Sequence, residues 1–153
     1  MSVSVQAQRA RSRQSLRADL LTGGLILLGA SQLALAIFMA VLPGTFHSSI
    51  GPFGSTNDHY LRDLATYNAA LGVGALIAVR SASWRIPVLA MTVIQFALHS
   101  INHLADIDKA DPSWIGYFDF FALALATVQL AWLLALARAI ERTPSPRSQG
   151  ERP

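Results

Sequence analysis

At 153 residues the chain has the length of one domain, and 52% hydrophobic against 14% charged residues is too apolar for a typical soluble domain, so a membrane protein is the first reading. The absence of cysteine excludes disulfides, thiolate metal sites and thiol nucleophiles. The net charge of +3 does not point to nucleic acid, because the arginines stand at the ends of apolar segments and not as a patch on a folded face.

Residues 1–18 carry Arg9, Arg11, Arg13 and Arg17 without an acid or a sustained apolar face, and read as a mobile, basic cytoplasmic tail drawn to anionic lipid. Residues 20–42 hold no charge and are long enough to cross a hydrocarbon core about 30 Å thick. A basic stretch before an apolar run also describes a signal peptide, with Ala34-Leu35-Ala36 as its cleavage site. The run continues well past an ordinary signal core, so the span is read as retained. Gly23, Gly24, Gly29, Ala30, Ala34, Ala36 and Ala40 suit close helix packing, while Gln32 and Gln129 read as interhelical hydrogen-bond glue.

Residues 43–58 are rich in Gly, Pro, Ser and Thr, which is loop chemistry, and His47 within them reads as solvated. Asn57 or Asp58 is expected to cap a second helix over about 60–79. Its first turns are polar (His59, Arg62, Asp63, Thr66, Tyr67, Asn68), and Ala70 with Gly74 forms a small-xxx-small pair farther along. Arg80 and Arg85 flank the next turn. A third span covers about 86–105, and its second half bears Gln95, His99, Asn102, His103 and Asp106 at i, i+4, i+7, i+8 and i+11, one polar stripe on one side of a helix. Asp111-Pro112 is expected to open the fourth span, about 114–137, with Asp as its cap and Pro as its first residue. Trp84, Trp114, Tyr60 and Tyr117 read as interfacial belt residues, and residues 139–153 as a disordered cytoplasmic tail.

The expected fold is therefore all-α: a four-helix transmembrane bundle over residues 19–138, with both termini inside and short loops. With the N-terminus in the cytoplasm, ten of the twelve Lys and Arg residues are cytoplasmic and only Arg62 and Lys109 lie outside. That orientation puts His47, His59, His99 and His103 in the outer half. Localisation in the inner (plasma) membrane as a multi-pass protein follows, with the lipid bilayer as partner. A membrane-protein partner or a homo-oligomer remains open through the small residues of the first span.

Antiparallel neighbours bring the start of the second helix beside the end of the third. At 1.5 Å per residue, His99 lies about 10 Å below the outer end of its span and Tyr67 about 12 Å below His59. His103 should come level with Asp63 and His99 with Tyr67 or Asn68, while Asp119, one turn into the fourth helix, is a natural partner for Arg62. Ionisable groups at membrane depth tend to face a bundle interior or a wet cavity and to pair.

Three functions fit such a cluster. Arg62, Tyr67, Asn68, Asn102 and Asp119 form a candidate pocket between helices two, three and four for a small polar molecule, a quinone head group or a lipid head group. His59, Asp63, His99, His103 and Asp106 form a candidate nitrogen and oxygen set for zinc, copper or iron. Haem fits less well, because His99 and His103 share one helix and cannot clasp it from opposite sides. The third possibility is a structural or assembly subunit in which the polar network only fixes helix packing. No nucleotide loop, nucleophile elbow or HExxH motif marks an enzyme, so a membrane enzyme using His99 or His103 as acid or base ranks behind these readings.

At His59-Tyr60-Leu61-Arg62-Asp63, Tyr67-Asn68-Ala69-Ala70-Leu71-Gly72 and His99-Ser100-Ile101-Asn102-His103-Leu104-Ala105-Asp106 the chain resembles small bacterial four-helix membrane proteins of the loosely defined DoxX-like group. The likeness covers about residues 20–138. It implies a compact integral membrane protein and carries over no catalytic residue.

Overall fold

A computed structural model of the chain describes residues 3–142. They form four long helices and one short one: α1 (Val3–Val41), α2 (Pro43–Ser49), α3 (Asp58–Arg80), α4 (Ala82–Ala105) and α5 (Trp114–Glu141). Among the described residues there is no strand, only an isolated antiparallel bridge between Phe53 and Ala110. The protein is all-α. Residues 143–153, most of the expected C-terminal tail, lie outside the described residues, and α5 continues through 139–141.

α1 departs most from expectation, because the basic segment is its first half and not a mobile tail. Gln, Ala, Arg and Leu are good helix formers, and no Gly or Pro interrupts them before Gly23. The Ser12 and Ser15 hydroxyls, which compete with helix elsewhere, here donate back to the carbonyls of Arg9 and Ser12. An apolar face is needed to bury a helix, not to form one that extends from a buried helix. α2 was hidden in the expected loop. Pro43 sits in its first turn, where its missing N–H costs nothing, and buried Phe46 ties the short helix to α1, with its ring 5.7 Å from that of Phe38.

Asn57 caps α3 as expected, its side-chain oxygen accepting from the amides of His59 at 3.1 Å and Tyr60 at 3.3 Å. Asp111 does not cap α5. Ser113 occupies the cap position without a side-chain hydrogen bond, and Pro112 lies in the turn ahead of the helix. α3 and α4 are separated by Ser81 alone and run antiparallel, with Gly74 against Val88 near the turn and Tyr67 beside Gln95 and His99 farther along. Arg85 strengthens this turn by donating from Nε to the Ala78 carbonyl at 3.2 Å, near the C-terminal end of α3.

Three helical segments are long and apolar enough to cross a membrane, 11–41 of α1 together with α4 and α5, where four spans were expected. α3 is the exception because Asp58, Arg62 and Asp63 crowd its first turns. α1 packs mainly on α3 and α4 on α5, with α3 against α4 joining the pairs. Outward faces carry exposed Leu27, Ile37, Met91, Ile94, Leu98, Phe118, Phe121 and Leu125. So much exposed apolar surface suits lipid, not water.

The interior is divided lengthwise. At one end Leu21, Leu25, Leu28, Ala75, Ala78, Leu89, Leu130 and Leu133 form a dry core drawn from all four long helices. At the other end a smaller cluster, Ala36, Met39, Phe46 and Ala65, leaves room for a cavity.

Candidate functional site

The cavity measures about 480 Å³ and is reached by side chains from every helix and from the loop after α2. Its walls are mainly apolar: Met39 from α1, Phe46 from α2, Phe53 from the loop, Leu61 and Leu64 from α3, Phe96 from α4, Leu123 and Ala126 from α5. Its polar lining is Gln32 of α1, Asn68 of α3, Gln95, His99 and His103 of α4, and Asp119 of α5. A largely apolar cleft or cavity with a few placed polar groups is the usual form of a small-molecule site.

His103 stands at the centre of the polar side. Its Nδ1 lies 4.0 Å from Asp119 Oδ2, too far for a hydrogen bond, and the two side chains are only 14% and 13% exposed. The Phe53 ring meets the His103 ring edge-on at 5.0 Å, and His99, one turn earlier, does so at 4.7 Å. Among the described residues, four buried side-chain atoms have no hydrogen-bond partner: Gln32 Nε2, Gln95 Oε1, His103 Nδ1 and Asp119 Oδ2. All four belong to residues lining this one cavity. Each such atom costs about 1–3 kcal/mol if nothing meets it. Asn68 differs, since its amide donates to the Leu64 carbonyl at 2.8 Å.

One end of the cavity is lined by α2 and the loop that follows it. Phe53 reaches in from the loop after α2, and that loop is held to the α4–α5 loop by the Phe53–Ala110 bridge and by the Asp111 amide donating to the Pro52 carbonyl at 3.2 Å. Gly54 makes the turn behind Phe53 at a φ of +66°, a conformation that favours glycine. On the α4–α5 loop, Lys109 donates to Asp106 at 2.6 Å. That bond, reinforced by the carboxylate's charge, raises the lysine above its ordinary pKa. Its contribution is complete below the usual lysine pKa and is lost as pH rises through the raised value.

The anticipated residues therefore divide. Asn68, His99, His103 and Asp119 meet at the cavity, while Tyr67 and Asn102 line a shallow groove on the outer side of α3 and α4 together with Met91, Ile94, Gln95, Leu98 and His99. Arg62 does not reach Asp119; it lies 3.9 Å from Asp58 on the exposed face of α3. His59 pairs with Asp63 at 3.5 Å, also exposed, and Asp106 is taken up by Lys109. Among the described residues no three His, Asp or Glu side chains converge as a metal-ligand set.

Gln32 is the main cavity-lining residue whose place the sequence hid. One amide in an apolar span fits interhelical glue as well as a pocket, and only its burial (3% exposed) with a free Nε2 beside the cavity separates the two. Gln129, paired with it in the sequence reading, is exposed. Phe46 and Phe53 gave no signal because both sit in a stretch that reads as loop. Comparison with known proteins returns no match for the chain, whether among family models, curated proteins or solved structures.

Proposed function

We propose that this chain is a small multi-pass protein of the inner membrane that binds a small molecule in the cavity beside His103 and Asp119. The observation that carries the proposal is the gathering, around one largely apolar space, of four buried polar atoms that make no hydrogen bond, His103 Nδ1 and Asp119 Oδ2 among them facing each other only at 4.0 Å. A protein core normally satisfies such groups or replaces them with carbon. Their concentration at a cavity fits a bound molecule with an apolar body and a hydrogen-bonding head.

In this proposal α3 crosses the bilayer as the fourth span of a bundle, because it packs on α1 and α4, two helices that are themselves long and apolar enough to cross. Both termini face the cytoplasm, in keeping with the charge bias, and the cavity lies in the extracytoplasmic half. A place among the DoxX-like four-helix membrane proteins is part of the same proposal and rests on the sequence segments alone. A small ligand is preferred to a metal ion, since among the described residues His99, His103 and Asp119 line one cavity without converging as the three or four ligands a stable site takes.

The test is mass spectrometry of organic extracts from protein purified in mild detergent. One species near one equivalent is expected in the native protein and should be depleted in Ala126→Leu, which adds three carbons to the cavity wall. If nothing co-purifies and Asp119→Leu markedly lowers the unfolding temperature, the polar groups serve packing and the proposal fails.

A further inference from the structure

The cavity and the outer groove share two residues. Gln95 and His99 line the cavity and also the shallow groove formed by Tyr67 of α3 with Met91, Ile94, Leu98 and Asn102 of α4. These two side chains stand between the protein interior and the lipid-facing surface. α2 and the Phe53 loop, which is fastened to the neighbouring loop, line one end of the cavity. Met91, Ile94 and Leu98 around the groove are exposed and apolar, as lipid contact requires.

The four buried atoms without a hydrogen bond also restrict the ligand's chemistry. Gln95 Oε1 and Asp119 Oδ2 are acceptors, Gln32 Nε2 is a donor, and His103 Nδ1 takes either part. A hydroxyl both donates and accepts, so two hydroxyls can answer the two acceptors while their oxygens accept from Gln32 and His103. An anionic head is disfavoured, because Asp119 lines the cavity and no Lys or Arg does. A quaternary ammonium would leave every one of these atoms without a hydrogen bond.

We propose that the cavity is loaded sideways from the bilayer, through the seam between α3 and α4 at Gln95 and His99, by a neutral amphiphile whose head bears hydroxyls and whose chain lies in the outer groove. This rests on the reading of the cavity as a ligand site. The hydroxylated head sits among Gln32, Gln95, His103 and Asp119. The chain follows Met91, Ile94 and Leu98 out to the lipid.

The probe for the test is a monoacylglycerol with a diazirine in its acyl chain, at low mole fraction in phosphatidylcholine nanodiscs holding the full-length protein. Photolysis and peptide mapping should place adducts along the groove, on α4 at Met91, Ile94 and Leu98 and on α3 near Tyr67, removed by excess unlabelled monoolein. Ile94→Trp puts a bulky side chain over the groove at a position 60% exposed, where the fold is expected to tolerate it, as an unchanged unfolding temperature in detergent would show. It should slow probe loading about tenfold, or about 1.4 kcal/mol in the barrier. Asp119→Leu should weaken the competition by monoolein while leaving the protein folded.

Loading at an unchanged rate in Ile94→Trp would overturn the lateral route and leave the cavity's ligand role standing. Labelling confined to the outer face of α5 at Phe118, Phe121 and Leu125, with no competition, would overturn the choice of amphiphile. If another molecule still co-purifies in the cavity, the ligand-site reading survives that result; if none does, both readings fall together.

Discussion

A carboxylate and an imidazole that face each other at 4.0 Å inside a protein are neither a good ion pair nor a neutral hydrogen bond. A buried pair formed for stability closes that gap, because uncompensated charge in an apolar setting is expensive and removing one partner of a formed pair costs about 3–5 kcal/mol. At Asp119 the balance runs the other way. Its Oδ2 has no hydrogen bond to lose, so Asp119→Leu in delipidated protein is expected to leave the unfolding temperature in detergent unchanged or to raise it, the group removed having cost about 1–3 kcal/mol. The same holds for Gln32→Leu, whose free Nε2 is equally buried. Thermal unfolding with and without added lipid measures both substitutions. A fall of several degrees in the delipidated state would show that these side chains hold the fold together.

Between α1 and α3 the helix backbones approach closely through glycine. A Cβ on Gly72 would stand 3.0 Å from the Gly29 carbonyl oxygen, 3.1 Å from the Leu33 amide nitrogen and 2.9 Å from Leu33 Cγ. Two of those neighbours are backbone, which cannot rotate away, so Gly72→Ala must push the helices apart and is expected to destabilise by about 1–3 kcal/mol. Gly23→Ala is the control with opposite sign. Nothing lies within 4 Å of its Cβ position, so it should stabilise by about 0.5–1 kcal/mol through helix propensity. Thermal or denaturant unfolding in one detergent compares them. Composition announced this packing, since the small residues of α1 mark a helix made for close contact, but it did not identify the partner. Ala70, one half of the expected small-residue pair, is exposed, and Gly74 faces α4 at Val88. Spacing along a helix fixes which residues share a face, whereas the direction of that face depends on every neighbour. For the same reason the stripe from Gln95 to Asp106 was legible as a polar face, while its division among cavity, groove and the Lys109 contact was not. The loop residues were least legible, because Phe53 acquires its place only when two loops distant in sequence meet.

For the whole molecule, the disposition of α3 decides where the cavity lies relative to the bilayer. α1, with about 25 Å of basic helix preceding its apolar part, α4 and α5 have lengths and compositions suited to a membrane, whereas α3 depends on its neighbours for burial. Because the chain contains no cysteine, single substitutions report sidedness without a background. Ser55 lies between α2 and α3, Ser113 ahead of α5, Ser12 on the basic half of α1 and Ser83 at the start of α4, and all four are exposed. With four spans and cytoplasmic termini, Ser55→Cys and Ser113→Cys are expected to react with a membrane-impermeant maleimide on intact spheroplasts, and Ser12→Cys and Ser83→Cys only after permeabilisation. The reverse pattern would turn the protein over and place the cavity toward the cytoplasm. Reaction of Ser55→Cys and Ser83→Cys from the same side would mean that α3 does not cross. The lateral route would then lose its physical basis, because a seam between α3 and α4 opens into lipid only if both helices stand in the bilayer.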